Sequence, residues 1–205
     1  MAARLACLLI LASIPPAAAA TKAFTVDSSA SSVTVHVGKT GIGSFAGHEH
    51  EVAAPALRGQ VVADFEDLPR SSVDVEANAR AMKVTGDEPA QDARKVQQTM
   101  SGPQVLNAGR FPIIGFRSRA VTGKRVSPDR YDLTIAGDLS LRGAARAMTV
   151  PVQVEVHGDT LTGTGRMVVK QTDFGIEPVS AGGGLVKVED GVTVTFRIVA
   201  RAAAP

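Results

Sequence analysis

Two histidines two positions apart are the residues with the clearest potential for chemistry. His48 and His50 belong to the segment Gly47-His48-Glu49-His50. Residues i and i+2 of a β-strand face the same side, so both imidazoles would point in one direction. Neutral imidazoles bind Zn, Cu, Ni or Fe when further ligands complete the coordination. The spacing therefore supports one hypothesis, a metal- or haem-binding module.

The same pair has two other interpretations. Imidazoles at a polar strand end can bond to backbone groups or water, or they can hydrogen-bond the head group of a lipid. A metal site would need a third ligand, and spacing alone does not select one. The candidates are His36, His157, Glu49, Glu51 and Asp173. All three interpretations stay open at the level of the sequence.

Patterns typical of other enzymes do not accompany the histidines. The Gly-x-Ser-x-Gly motif of serine hydrolases is absent. The triplet at 173–175 matches the kinase magnesium motif, but no glycine-rich nucleotide loop or catalytic-loop motif accompanies it. We interpret the triplet as structural, with Phe174 packed inward, Gly175 at a bend and Asp173 bonded to backbone amides. The sequence predicts a protein that is not an enzyme, with a metalloenzyme built on His48 and His50 as the alternative.

Composition narrows the class of partner. The chain has 205 residues, 22 Lys and Arg against 20 Asp and Glu, seven Phe, one Tyr and no Trp. Its charges are interspersed and form no basic run, which argues against nucleic-acid binding. We expect the partner to be an apolar small molecule.

The first 20 residues are predicted to be a cleaved signal peptide. Arg4 precedes the apolar stretch 5–14, and Ala18 and Ala20 fit the small residues of a cleavage site. A membrane anchor is the alternative, although the stretch is too short to span a bilayer. Cleavage would remove Cys7, the single cysteine, and leave one domain at 21–205 without a disulfide or a transmembrane segment. We expect a periplasmic or secreted bacterial protein.

Alternation of apolar and polar residues dominates the rest of the chain. It is clearest in two strands within 131–157, where Tyr131, Leu133 and Ile135 share one face. Further strands are predicted at 24–27, 31–37, 59–65, 73–84, 111–121, 160–171 and 191–201. One helix is predicted over 89–100, with Asp87 as its N-cap. These elements predict an all-β fold, a single antiparallel barrel of eight or more strands with one helix inserted between strands.

Several motifs occur in the order typical of one family. They are Phe24-Thr25-Val26-Asp27, Phe111-Pro112-Ile113-Ile114-Gly115-Phe116-Arg117-Ser118, Gly137-Asp138-Leu139-Ser140-Leu141-Arg142-Gly143, Met148-Thr149-Val150-Pro151-Val152, Thr172-Asp173-Phe174-Gly175-Ile176 and the closing strand 192–200. The chain thereby resembles the YceI-like family of exported bacterial proteins, often called polyisoprenoid-binding. Segment 38–52 departs from the common pattern of the family and resembles a subgroup with a Gly-His-x-His motif.

The resemblance implies a lipocalin-like barrel that holds a long apolar molecule, which would be a polyisoprenoid, an isoprenoid quinone or a fatty-acyl lipid. The expected role is periplasmic, non-enzymatic binding, and no other cofactor is implied. The candidate ligand contacts are the apolar face residues Val33, Val35, Phe45, Phe65, Phe116, Leu133, Ile135, Leu139, Met148, Val150 and Phe196. The residues themselves fit a packed core equally well, so a structural or stress-related exported domain with a dry core is the alternative.

Overall fold

The strands and the helix are taken from a computed structural model, which describes residues 21–40, 49–86, 89–181 and 186–203. The described strands are β1 (Lys22–Val26), β2 (Ser32–Val37), β3 (Lys39–Thr40), β4 (His50–Ala53), β5 (Arg58–Ala63), β6 (Ser72–Asn78), β7 (Lys83–Val84), β8 (Ile113–Ser127), β9 (Arg130–Leu141), β10 (Ala144–His157), β11 (Thr160–Lys170), β12 (Ser180–Ala181), β13 (Val186–Val188) and β14 (Gly191–Ala202). Helix α1 covers Ala90–Ser101, and short 3-10 helices cover Leu68–Arg70, Ala79–Ala81 and Thr172–Phe174.

Eight antiparallel strands close into a barrel. Their order is β1-β5-β6-β8-β9-β10-β11-β14, and β1 pairs with β14 to complete the ring. Helix α1 lies between β7 and β8 in the chain. The predicted fold class, one antiparallel barrel of at least eight strands with an inserted helix, is confirmed. No described helix is long and apolar enough to cross a membrane.

At three places in the barrel wall, two short strands that are neighbours in the chain take the place of one long strand. On the edge of β14, β2 pairs with its first half and β1 with its last residues. Strand β4 precedes β5 in the same way, and β6 precedes β7. The sheet therefore continues past the ring as β14-β2-β4-β7. Strands β2, β4 and β7 form one end of the barrel, where the inserted helix also lies.

The sequence-based prediction of one strand over 73–84 is wrong. The chain leaves the sheet at the 3-10 helix of residues 79–81, where Asn78 Oδ1 accepts the N–H of Arg80 at 2.9 Å. The N–H of Ala79, which is 1% exposed, donates to Pro112 O at 2.8 Å. Alternating alanines permit this break as readily as an extended strand, so the pattern did not reveal it.

Helix α1 follows at the predicted place and covers the edge of β7. Gln97 Oε1 accepts the N–H of Val84 at 3.0 Å, and Gln97 Nε2 donates to Met82 O at 2.9 Å. The helix starts after Pro89, which occupies the cap position, so the predicted cap residue Asp87 is not the N-cap. Asp87 itself lies outside the described residues.

The 173–175 triplet forms a turn in which Phe174 alone is buried. Phe174 is 4% exposed, and Gly175 adopts a positive φ of 68°, as expected for a packed ring followed by a bend. Asp173 is exposed, and Asp190 makes the predicted amide bond instead. Asp190 Oδ1 accepts the N–H of Thr172 at 2.9 Å, and this hydrogen bond is the main reason that the pKa of Asp190 is lowered.

Candidate ligand-binding site

The barrel interior contains two adjoining cavities, here called the narrow chamber and the wide chamber. Their volumes are about 200 Å³ and about 490 Å³. Six side chains line both, one each from β2, β6, β8, β9, β11 and β14. This shared ring, which we call the waist, consists of Val33, Ala77, Ile114, Leu139, Met167 and Val194. The two cavities therefore form one elongated interior that follows the strands.

The narrow chamber is almost entirely apolar. Apart from the phenol of Tyr131, its polar lining side chains among the described residues are Ser71 and Glu76. Two phenylalanine rings enter it over glycines. A Cβ at Gly137 would lie 2.7 Å from Phe116 Cζ, and one at Gly165 would lie 2.5 Å from Phe196 Cζ. Glycine at these two positions therefore makes room for the rings on the inner face of the wall.

Aromatic side chains close the barrel beyond the narrow chamber. The ring of Phe65 packs edge-on against Phe24, with centroids 6.4 Å apart, and lies 5.4 Å from the ring of Tyr131. Phe24 and Tyr131 are 1% and 4% exposed. Leu68, from the 3-10 helix after β5, also lines the chamber. We call this group, Phe24, Phe65, Leu68 and Tyr131, the closed end.

The wide chamber reaches the surface at the opposite end. Lys95 and Lys187 line it and are exposed, and Lys39 and His50 line it with partial exposure. We call this group of four the open end. No Asp or Glu is present among the described residues that line the chamber. The interior thus runs from an opening lined by three lysines, of which Lys95 pairs with Asp92 at 3.6 Å, to an apolar floor.

Nine of the eleven predicted contact residues line the chambers. They are Val33, Val35, Phe65, Phe116, Leu133, Ile135, Leu139, Val150 and Phe196. Met148 lines neither cavity and packs in the cluster of Val169, Phe174 and Ile176, because the 3-10 helix at 172–174 covers that part of β10. Phe45 lies outside the described residues. Contact of these side chains with a ligand stays a prediction.

Sequence reasoning missed the contribution of the helix to the site. Val96 and Met100 of α1 line the wide chamber together with Leu106 from the segment that follows. Their helical spacing had marked an apolar face without indicating what it covers. The three lysines of the open end are far apart in the sequence, so only the folded chain brings them to one cavity.

The structure describes three of the four histidines and does not bring them to one site. His50 pairs with Val37 and lines the wide chamber, whereas His48 lies outside the described residues. His36 Nε2 is 3.6 Å from Glu49 Oε2, outside both cavities. His157 pairs with Thr160 at the other end of the barrel. No group of three or more His, Cys, Asp or Glu within the described part of the chain could hold a metal.

The proposed third ligands Glu51 and Asp173 are both exposed and line neither cavity. The metal hypothesis therefore still rests on the sequence spacing of His48 and His50.

Among the described residues, the carboxyl groups with displaced pKa values lie outside the chambers. Hydrogen bonds from Ser29 and Arg201 lower the pKa of Asp27 to about 2. Arg130 lowers the pKa of Glu155, chiefly through its hydrogen bonds. Neither residue lines the chambers. These shifts stabilise charges on the outer wall and supply no acid or base to the interior.

The sequence profile of the YceI-like domain matches residues 24–200. The chain belongs to the YceI-like family. Similar solved structures include Burkholderia cenocepacia BcnA, with 22% identity and a TM-score of 0.65, covering 85% of this chain and 98% of that one. Another is the Campylobacter jejuni YCEI protein, with 11% identity and a TM-score of 0.55, covering 75% and 85%. At these identities the likeness shows the YceI-like fold. No curated protein matches the sequence significantly.

Proposed function

We propose that this protein is a non-enzymatic periplasmic carrier that holds one long apolar molecule inside its barrel. The ligand class is a polyisoprenoid, an isoprenoid quinone or a fatty-acyl lipid. The observation that carries this proposal is the pair of adjoining chambers, about 200 Å³ and about 490 Å³, with apolar walls. Cavities for small-molecule ligands typically measure about 300–1,000 Å³ and are mostly apolar.

The size of the cavities argues against a dry core. Protein interiors pack as densely as organic crystals and contain few voids larger than a water molecule. Unfilled space also costs stability, because the lining atoms lose their dispersion partners. A bound chain would restore those contacts and contribute about 0.8 kcal/mol for each buried CH₂ group. A long apolar ligand therefore accounts for cavities that a structural domain would be expected to fill.

The chambers differ in a way that orients the ligand. The apolar tail fits the narrow chamber, where it would not desolvate charged groups. A polar head fits the wide chamber, where Lys39, Lys95 and Lys187 lie at the opening. The chain would then enter tail first from the open end, since the closed end is blocked by Phe65 and Leu68.

The proposal is tested on protein purified from its native host without detergent. An organic extract analysed by mass spectrometry should contain one class of long-chain lipid in near-stoichiometric amount. Delipidated protein should then take up the same lipid from solution. Protein that carries no lipid and binds none of the three proposed classes would contradict the carrier function and favour the dry-core domain.

The proposed periplasmic location is tested by a separate measurement. Fractionation of the native host should place the mature chain in the periplasm, beginning at Thr21 by mass spectrometry. Retention of residues 1–20 in the membrane fraction would support the anchor instead.

A further inference from the structure

We propose that the narrow chamber sets the maximum tail length of the ligand, with Phe65 as the floor and Gly163 as the residue that leaves room for the tail. This inference rests on the proposed carrier function and adds a basis for selecting among chains of one chemical class. A tail that enters from the open end must stop where the chamber stops. Chains longer than this depth would leave apolar groups exposed near the open end.

The floor is formed by side chains that have little freedom to move aside. Phe65 lies between Phe24 and Tyr131, both nearly inaccessible to solvent. Leu68 lines the chamber from a 3-10 helix that contacts β8. Close packing of this kind resists displacement, because moving one ring requires its neighbours to move.

The segment that carries the floor is also tied to itself by hydrogen bonds. Asp64 is 1% exposed, and its Oδ1 accepts the N–H groups of Glu66 at 3.1 Å and Asp67 at 2.9 Å. Its own N–H donates to Ser71 Oγ at 3.0 Å. Arg70 Nε lies 3.4 Å from Asp64 Oδ2. Residues 64–71 therefore form a bonded loop that fixes the position of Phe65.

A substitution at Gly163 tests whether the narrow chamber limits the tail length, because this residue lines the chamber wall. It lines the narrow chamber on β11, and a Cβ there would meet Val152 Cγ1 at 3.5 Å, an ordinary contact. A valine at this position would thus fit the backbone and occupy space that the proposal assigns to the tail. Substitution at Phe65 has the opposite effect, because removing the ring deepens the chamber.

The experiment measures which members of a homologous series of straight-chain fatty acids displace a fluorescent fatty acid from delipidated protein. In the wild-type protein, affinity should rise with chain length and then fall about tenfold past a cut-off. Phe65→Ala should move this cut-off to longer chains, and Gly163→Val should move it to shorter ones. Phe111→Ala and Gly109→Val are matched controls, since neither residue lines a chamber and a Cβ at Gly109 meets nothing within 4 Å.

Three results would overturn the inference. The first is a wild-type profile without a cut-off, and the second is the same cut-off in both variants as in the wild type. The third is that the wild-type protein binds neither the fatty acids nor a series of prenyl alcohols run in parallel. This result would overturn the carrier function as well. Circular dichroism establishes that each variant is folded, and Gly163→Val decides the matter if Phe65→Ala does not fold.

Discussion

The two ends of the barrel share the long strands β8, β9, β10, β11 and β14, but they differ in the strands that complete the wall. At the closed end β1, β5 and β6 complete the wall, and aromatic rings fill the interior beyond the narrow chamber. At the open end three wall positions are completed by the short strands β2, β4 and β7, and α1 replaces a continuous wall. The difference gives one end of the sheet a packed aromatic floor and leaves the other end lined by the exposed side chains of the wide chamber.

Blocking the passage between the chambers should have the largest effect on binding. In Ala77→Phe the new ring would fill the waist and exclude the tail from the narrow chamber. Losing the burial of about four CH₂ groups is worth about 3 kcal/mol, or about a hundredfold in affinity. Ala120→Phe, on the exposed face of β8, is the matched control and should bind like the wild type. Equal affinities for a long-chain fatty acid in both variants would contradict the two-chamber arrangement.

The free energy of unfolding should depend more on Asp64, in the loop that carries Phe65, than on Asp190, which precedes β14. Asp64→Ala removes a carboxylate that is 1% exposed and leaves the N–H groups of Glu66 and Asp67 without their acceptor, at a cost of about 1–3 kcal/mol. Asp190→Ala removes similar bonds to Thr172, but solvent can replace them, so the loss should be smaller. Urea unfolding of both variants measures the difference. A larger loss in Asp190→Ala would reverse our assignment of the rigid end.

Reversing one charge at the open end should change the affinity for a ligand by a smaller factor than blocking the waist does. Lys187→Glu places a negative charge at the wide chamber, and affinity for a fatty acid should fall a few-fold, as expected for exposed charges worth about 0.2–1 kcal/mol. Affinity for a neutral prenyl alcohol of matched length should not change. Lys124→Glu, exposed on β8 and lining neither chamber, is the control. If the fatty acid binds the wild-type protein and both variants with equal affinity, its carboxylate does not lie near Lys187.

Acid should weaken the junction of β1 and β2 through Asp27. Its pKa falls from 3.8 to about 2 because Ser29 and Arg201 bond the carboxylate. A lowered pKa stabilises the folded chain above the unfolded value, and this contribution disappears as the pH falls from about 4 to about 2. Asp27→Asn should therefore show a shallower loss of melting temperature over that interval, although it begins less stable. Parallel curves for the variant and the wild type would exclude this linkage.

The smallest effect is expected for the histidine pair. We expect equally low zinc and copper contents in the wild-type protein and in the His48→Ala, His50→Ala double variant after incubation with each metal. Metal bound by the wild type and absent from the variant would establish the metal site that the sequence spacing suggested.

The sequence predicted the barrel because alternation follows directly from the geometry of a half-buried strand. Leu133 and Ile135 share one face, as their spacing indicated, and they pair with Val152 and Val150 across β9 and β10. The break at Ala79 was not predictable, since small alternating residues fit a strand and a turn alike. Hydrogen bonds to Pro112 and Asn78, which come from other parts of the fold or from cap geometry, decide the conformation there.

The candidate site was predictable only in part for a related reason. The pattern identifies Phe116 and Phe196 as inward-facing, but inward-facing residues are the same in a filled and in a hollow barrel. Cavity volume depends on how rings such as Phe116 lie over Gly137, and this is a property of three-dimensional packing. The lysines of the open end illustrate the same limit, because their proximity arises only when β3, α1 and β13 meet around the wide chamber.

The carboxamide of Gln97 has a consequence for how copies of this protein meet one another. It offers one acceptor to Val84 of β7 and one donor to the preceding residue Met82, as a peptide group of a neighbouring strand would. An uncovered strand edge is a template for pairing with another chain and thus a route to aggregation. One side chain on a helix therefore occupies hydrogen-bonding groups at this edge that a strand of another molecule would otherwise use.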